Sequence, residues 1–174
     1  MIPAIPEFSR RLNIEQIGRV GLEQVVEADA AERQALAARL DVPAIGALVC
    51  RLRVSPTDSS RSGVFVADGR LTARVVRTCV VTLDEFEGTV DEVFHVYFVP
   101  ATTQEASSHA WLDPEADDEI PYHGSTIDLG EAATEQLALA LDPYPRKPGG
   151  ELPAETRDDE ASPFAGPAGL RRSG

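Results

Sequence analysis

Carboxylates near residue 130 are the first side chains in this sequence that could carry out chemistry. Glu131 and Glu135 are four residues apart, which would place them on one face of a helix, and Asp128 lies one turn earlier. Two such carboxylates could act as a general acid and a general base. The same spacing is typical of an N-cap and a solvated first turn, where the helix dipole favours negative charge. We favour the N-cap interpretation and assign no catalytic residue.

Cysteine and histidine are the other residue types here that could act as nucleophiles or bind a metal. Cys50 and Cys79 lie in apolar, strand-like surroundings, and Arg77 is the one basic residue near Cys79 that could lower its thiol pKa. We therefore predict two reduced, buried thiols that pack as small hydrophobic groups. The three histidines are 14 residues apart, which matches no compact set of metal ligands, so we predict neither a metal nor a cofactor. They are His95, His109 and His123.

The charge of the chain is strongly negative and unevenly distributed. The formal net charge is −13, and residues 101–145 contain ten acidic residues but no lysine or arginine. A field of this sign repels phosphate backbones, because nucleic-acid affinity arises mostly from cations that displace condensed counterions. It attracts basic proteins, among which ribosomal proteins are an abundant class. We therefore expect a basic protein partner before an RNA partner.

Five arginines are the main positive feature of the predicted strands. Aligned across neighbouring strands, they could form a phosphate-binding stripe and contact RNA directly. Cross-strand pairing predicts instead that about half of them bind aspartate or glutamate on adjacent strands. The five are Arg51, Arg53, Arg70, Arg74 and Arg77.

The first half of the chain predicts short strands around one helix. Residues 7–15 and 20–28 alternate loosely around two glycines, which predicts two strands joined by a turn. An acidic N-cap followed three residues later by glutamate predicts a helix over 29–40, which ends before a proline. Residues 47–54 then predict a strand with one wetter face.

Further strands are predicted in the middle of the chain. Asp68-Gly69 tolerates positive φ and predicts a hairpin between strands 64–67 and 71–75. Residues 78–83 and 90–99 predict two more strands, with a turn near Asp84 and Glu85.

A loop and a second helix are predicted next. The segment 100–125 has several prolines and few aliphatic residues, which predicts a long mobile acidic loop. Capping and apolar spacing predict a helix over 128–141. Leu137, Leu139 and Leu141 cannot share one helix face, because residues two apart are separated by about 200°. We favour burial on both sides of this helix over a docking surface at Leu139.

These elements predict an α+β fold, a mostly antiparallel sheet or partly closed barrel with two helices. We predict a single domain over 1–145 that includes the loop, and a disordered tail over 146–174. The N-terminus lacks the basic start and apolar run of a signal, and no segment approaches the roughly 18 apolar residues of a membrane helix. We therefore expect a cytoplasmic protein.

Three stretches of the sequence, in this order, resemble the YceD family. The family's hairpin and cysteine motif is similar to the first stretch, which runs from Gly69-Arg70-Leu71 through Cys79-Val80-Val81-Thr82-Leu83-Asp84-Glu85-Phe86. The family's most characteristic helix is similar to the second stretch, which runs from Ile127-Asp128-Leu129-Gly130-Glu131 to Leu139-Ala140-Leu141-Asp142-Pro143-Tyr144-Pro145. Ser162-Pro163-Phe164-Ala165 with Leu170-Arg171-Arg172 is similar to its terminal motif. Many members carry Cys-x-x-Cys where this chain has Cys79-Val80-Val81-Thr82, which argues against zinc or disulfide chemistry here.

The resemblance implies a role in the synthesis, processing or stability of large-subunit (23S) ribosomal RNA. We expect a binding protein whose acidic segment 113–135 shields a newly made basic ribosomal protein. The other mechanism is contact of the arginines and the basic tail with ribosomal RNA or a large-subunit precursor. The predicted binding residues are Asp128, Leu129, Glu131, Glu135, Leu139, Phe164, Leu170, Arg70 and Arg74.

Two alternatives belong to other functional classes. One is an enzyme, a hydrolase or an RNA-modifying activity, that uses Glu131 or Cys79. The sequence lacks the Gly-x-x-x-x-Gly-Lys phosphate loop, the His-Glu-x-x-His zinc helix and the Gly-x-Ser-x-Gly elbow, which excludes the most recognisable enzyme classes. The other is an adaptor that acts through its C-terminal tail, where an apolar anchor and two cations could form a short recognition segment.

Overall fold

The computed structural model describes residues 6–57, 63–101 and 118–150 of the chain. These residues form seven strands, two α-helices and one short 3-10 turn within the described ranges. In chain order the elements are β1 (Arg11–Asn13), the 3-10 turn (Ile14–Gln16), β2 (Leu22–Glu27), α1 (Ala30–Arg39), β3 (Ala44–Pro56), β4 (Phe65–Thr78), β5 (Glu85–Pro100), β6 (Asp118–Tyr122), β7 (Thr126–Asp128) and α2 (Leu129–Ala140).

The strands form one large sheet and one small one. The large sheet has the order β2-β3-β4-β5-β6, in which the first three pairs are antiparallel and β5 pairs with β6 in parallel. The small sheet is an antiparallel pair of β1 and β7. The α+β prediction is confirmed, with two helices and an open, mostly antiparallel sheet rather than a closed barrel.

The large sheet buries one face and leaves the other exposed. Every second residue of β4 from Phe65 to Val75 is buried, whereas Arg70, Thr72 and Arg74 between them are exposed. This alternation is the period-2 pattern of a strand with one face on the core. Helix α1 packs against β3 and α2 against β4 and β5. We call the other side of the sheet the open face.

Both helices begin where local capping predicts. Asp29 accepts a hydrogen bond from Glu32 N–H at 2.9 Å, and the Glu32 carboxylate accepts one from Asp29 N–H at 2.8 Å, which completes a capping box for α1. Helix α2 begins after its N-cap, Asp128. The prediction of burial on both sides of α2 is wrong, because Leu137 is buried whereas Leu139 is 71% exposed. Residues two apart lie on opposite sides of a helix, and the Leu139 side of α2 faces solvent.

The predicted hairpin at Asp68-Gly69 is wrong, because both residues lie in the middle of β4. Gly69 pairs with Phe94 of β5, and a Cβ at Gly69 would overlap the Phe94 ring. Glycine is required there by close side-chain packing across the strands rather than by a turn. The turn between β4 and β5 covers 79–84, where Cys79 N–H donates to the Asp84 carbonyl at 2.8 Å. The predicted strand over 78–83 is therefore also wrong.

Two further boundaries differ from those predicted. Part of the predicted loop 100–125 is ordered into β6, which pairs with β5, and β7 follows directly after the predicted loop and pairs with β1. Such pairing depends on distant strands, which local composition does not reveal. The first predicted strand, 7–15, is shortened to Arg11–Asn13. Residues 102–117 and 151–174, which include most of the predicted tail, lie outside the described residues. Among the helices described here, none is long and apolar enough to cross a membrane.

Candidate functional site

Asp128 is held in place by hydrogen bonds from two parts of the chain. Its Oδ1 accepts from Arg10 N–H at 2.8 Å, Gly130 N–H at 3.0 Å and Glu131 N–H at 3.2 Å. Its Oδ2 accepts from the Ser9 hydroxyl. The carboxylate therefore caps α2 and fixes the N-terminal segment against it. Its neighbour Leu129, also a predicted binding residue, is buried with 1% of its surface exposed.

Glu131 is committed to an ion pair with α1. Arg39 donates to its two carboxylate oxygens at 2.7 and 3.1 Å, and also to Glu7 Oε2 at 3.0 Å. Two parallel bonds to one carboxylate give a geometrically specific pair. Hydrogen bonding to these carboxylates, Glu131 first, raises the pKa of Arg39. The pair joins the end of α1 to the start of α2, so Glu131 contributes to the fold.

Glu135, one turn further along α2, has a different environment. Its side chain is exposed, and no hydrogen-bond partner or ion pair is found for it among the described residues. Partial burial raises its pKa, and the nearby charges of Glu131 and Asp118 raise it further. Glu135 and Asp118 are both exposed, and neither forms an ion pair among the described residues. They are the part of the predicted acidic segment that remains available to a partner within those residues.

The arginines of the open face are interrupted by acids. Arg70 forms two bonds to Asp91, at 2.8 and 2.6 Å, and Arg53 lies 3.8 Å from Glu23. Arg51 is directly opposite Arg70 in the β3–β4 register. These pairs agree with the expectation that about half of the arginines bind neighbouring acids. The open face is therefore a mixed surface rather than a continuous positive stripe.

Arg51 and Arg74 are the exposed arginines of β3 and β4 that contact no carboxylate among the described residues. Arg77 is partly buried, and its guanidinium lies 5.3 Å from the centre of the Phe86 ring. A phosphate could approach Arg51 and Arg74 from the open side. Together they provide only two cations, which is fewer than the several phosphate contacts that strong nucleic-acid binding requires.

A feature that the sequence did not suggest is the outer side of β5. Strand β6 covers only Val96–Pro100, so residues 85–95 have no strand partner on that side within the described residues. We call this stretch the β5 free edge. It contains no lysine or arginine and four exposed acids. They are Glu85, Glu87, Asp91 and Glu92. Only Asp91 and Glu92 lie in the predicted strand 90–99, whereas Glu85 was expected in a turn, so the common edge of these acids becomes evident only once the sheet order is known.

The two cysteines are both buried, as predicted, but their environments differ. Burial raises the pKa of the Cys50 thiol to about 12. The pKa of Cys79 is lowered to about 6, first by a hydrogen bond from the Lys147 backbone and then by the Thr82 hydroxyl and backbone. Cys79 is nonetheless a free and fully buried thiol, as predicted, although it lies outside the main apolar core that contains Cys50. The 79–84 turn is joined to the segment after α2 by a backbone hydrogen bond, in which Val80 N–H donates to the Pro145 carbonyl at 2.9 Å.

The residues considered for catalysis are not brought together in the described part of the chain. No cluster of three or more histidine, cysteine, aspartate or glutamate residues that could hold a metal occurs in 6–57, 63–101 or 118–150. A groove of about 560 Å³ lies between the end of α1, the end of β4 and the segment after α2. Neither Glu131 nor Cys79, the two residues considered for catalysis, lines it. Phe164 and Leu170, the remaining predicted binding residues, lie outside the described residues.

Comparison with known proteins gives one match. No curated protein and no solved structure matches the chain. A family model described as "Large ribosomal RNA subunit accumulation protein YceD" matches residues 67–167. The match covers 101 of the 174 residues, and its range includes β5 and α2. The chain therefore belongs to the YceD family, whose described role is accumulation of the large ribosomal RNA subunit.

Proposed function

We propose that this protein supports the synthesis, processing or stability of large-subunit ribosomal RNA in the cytoplasm by binding a basic ribosomal protein or a pre-ribosomal particle. The observation that carries the proposal is the YceD match over 67–167. Binding rather than catalysis is supported by the geometry, since Asp128 and Glu131 are occupied within the fold. The proposal makes the protein a non-enzymatic factor.

Charge supports a basic protein as the direct partner. The net charge of −13 disfavours contact with phosphates and favours encounter with cationic surfaces. Acids available for such a contact include Glu85, Glu87 and Glu92 of the β5 free edge together with Asp118 and Glu135. The capping and ion-paired acids of α2 are already bound. In this mechanism the RNA accumulates because its protein partner is protected until assembly.

Direct contact with ribosomal RNA is the second candidate. It is supported by Arg51 and Arg74, which are exposed on the open face and contact no carboxylate in the described residues. Replacing both with glutamine would weaken an RNA contact and leave a contact made by acids intact. A matched control is Arg33→Gln with Arg19→Gln, which removes the same charge away from the open face.

The test is crosslinking of the full chain in cells, followed by sucrose-gradient fractionation and identification of the crosslinked partner. We expect the protein to migrate with large-subunit precursors or with free basic ribosomal proteins, and the crosslinks to be to protein. Its deletion is expected to lower large-subunit ribosomal RNA. Crosslinks to RNA alone, lost in the Arg51 and Arg74 variant, would reverse the preference for protein. Unchanged ribosomal RNA after deletion would contradict the proposed function itself.

A further inference from the structure

The β5 free edge combines unused backbone groups with a single sign of charge. In an antiparallel pair, every second residue directs both its N–H and its C=O to the partner strand, and the residues between direct theirs outward. Along 85–95 the outward groups meet no strand within the described part of the chain. An unpaired edge of this length is a template for another extended chain.

The side chains along this edge determine which extended chain would be accepted. Glu85, Glu87 and Asp91 lie on the open face, and Asp91 is bonded to Arg70. Glu92 has the same parity as the buried Val90 and Phe94, yet it is exposed. Glu85, Glu87 and Glu92 have no ion-pair partner among the described residues. Three uncompensated negative charges therefore flank a row of free backbone donors and acceptors.

The same charges argue against self-association through this edge. Two copies joined by their β5 free edges would bring like-charged carboxylates together, which is destabilising for directly opposed pairs. Charged edge residues are a common protection against such pairing. A strand that carries lysine or arginine would reverse the sign of the interaction. The β5 free edge therefore favours an extended strand that is positively charged over one that is neutral or acidic.

We propose that the β5 free edge binds an extended basic segment of a protein partner by strand addition. The backbone ladder supplies affinity that is independent of sequence, while the glutamates select for lysine and arginine. The exposed Val93, 72% accessible, lies on the same strand and offers an apolar contact to a side chain of the added segment, whereas His95 is already bonded to Asp68 at 2.7 Å. This inference rests on the proposed function, because it identifies the surface that would bind the basic ribosomal protein.

The test uses the full chain and a fluorescent 12-residue peptide of alternating lysine and valine. Fluorescence anisotropy gives its Kd, and hydrogen exchange reports protection of the amides in 85–95. We expect binding with protection confined to this edge. A peptide of the same sequence N-methylated at alternate residues keeps its charge but loses backbone donors, and we expect it to bind at least about tenfold more weakly. Equal binding of the two peptides would overturn strand addition.

A matched pair of variants tests the location. Glu85→Lys, Glu87→Lys and Glu92→Lys together reverse the charge of the β5 free edge. Glu15→Lys, Glu23→Lys and Glu27→Lys make the same change in net charge at and near β2, the opposite edge of the sheet. We expect the first variant to lose about tenfold or more in affinity and the second only about two- to threefold, from the general field. Equal losses would overturn the proposed site.

Failure of this inference and failure of the proposed function give different results. If the peptide does not bind while deletion of the protein still lowers large-subunit ribosomal RNA, the edge is wrong and the function stands. If the peptide binds as expected while ribosomal RNA is unchanged by deletion, the edge stands and the function is wrong. Circular dichroism of both triple variants, measured first, shows whether each one is folded.

Discussion

Carboxylates at the start of α2 and carboxylates along β5 carry the same charge but have different surroundings. Asp128 accepts hydrogen bonds from the backbone of three residues, and Glu131 is bound by Arg39. Glu85 and Glu87 are exposed and have no ion-pair partner among the described residues. The difference separates acids that stabilise the fold from acids that remain available to a partner.

The comparison shows that spacing alone is a poor guide to function for acidic residues. The i, i+4 pair on α2 resembles an acid–base pair in sequence, yet its first member joins two helices. The acids of β5 follow no motif, but they lie on an edge that the rest of the sheet leaves open. Satisfied acids contribute to stability, and removing them costs free energy. Unsatisfied exposed acids can be removed with little effect on stability.

The largest expected effect on stability is at Asp128. Asp128→Ala removes the N-cap of α2 and the acceptor for Arg10 N–H and the Ser9 hydroxyl. We expect the free energy of unfolding to fall by about 2–3 kcal/mol, measured by urea denaturation. The matched control is Asp118→Ala, which removes an exposed acid of β6. Equal losses in the two variants would break the distinction between the two sets of carboxylates.

A smaller loss is expected when the partner of Glu131 is removed. Arg39→Ala breaks the ion pairs to Glu131 and Glu7, and we expect a loss of roughly 1 kcal/mol because the side chains are partly exposed. Arg19→Ala, an exposed arginine outside these pairs, is the control. High salt is expected to reduce the difference between the two variants. A loss at Arg39 no larger than that at Arg19 would show that the pair does not stabilise the fold.

Glu32, the second acid of the α1 capping box, predicts that the free energy of unfolding depends on pH. A hydrogen bond from Arg10 lowers the pKa of Glu32 below its ordinary value of 4.5. A lowered pKa in the folded state means that the contribution is present above about pH 4.5 and is lost as the pH falls through the folded value. We expect Glu32→Gln to remove about 0.5–1 kcal/mol at neutral pH and progressively less as the pH falls below about 4.5. Urea midpoints across this range measure it, and a pH-independent difference would contradict the mechanism.

The smallest effect on stability is expected on β5. Glu85→Gln with Glu87→Gln removes two exposed acids, and we expect a change within about 0.5 kcal/mol in either direction. Thermal and urea denaturation give the value. A loss comparable to that of Asp128→Ala would mean that these acids have structural partners, and it would remove the basis for the comparison.

Features of the fold could be predicted from the sequence where the interacting residues are close together along the chain, and not where they are far apart. The starts of both helices were predicted correctly, because Asp29 and Asp128 act on backbone groups within three residues. The Asp68-Gly69 turn was predicted wrongly, because Gly69 accommodates Phe94, 25 positions away. The same limit applies to the β5 free edge. Within the described residues, its openness arises because β6 pairs with β5 only from Val96 onward, and nothing within 85–95 itself indicates that.

The pairing of β1 with β7 has a consequence for how the chain folds. Arg10 N–H reaches Asp128 across 118 positions of sequence, and β1 has no other strand partner within the described residues. Forming a contact between such distant residues costs the conformational entropy of the long chain segment between them, so such contacts form late in folding. During synthesis, β1 therefore cannot pair with β7 until residues 126–131 have been made.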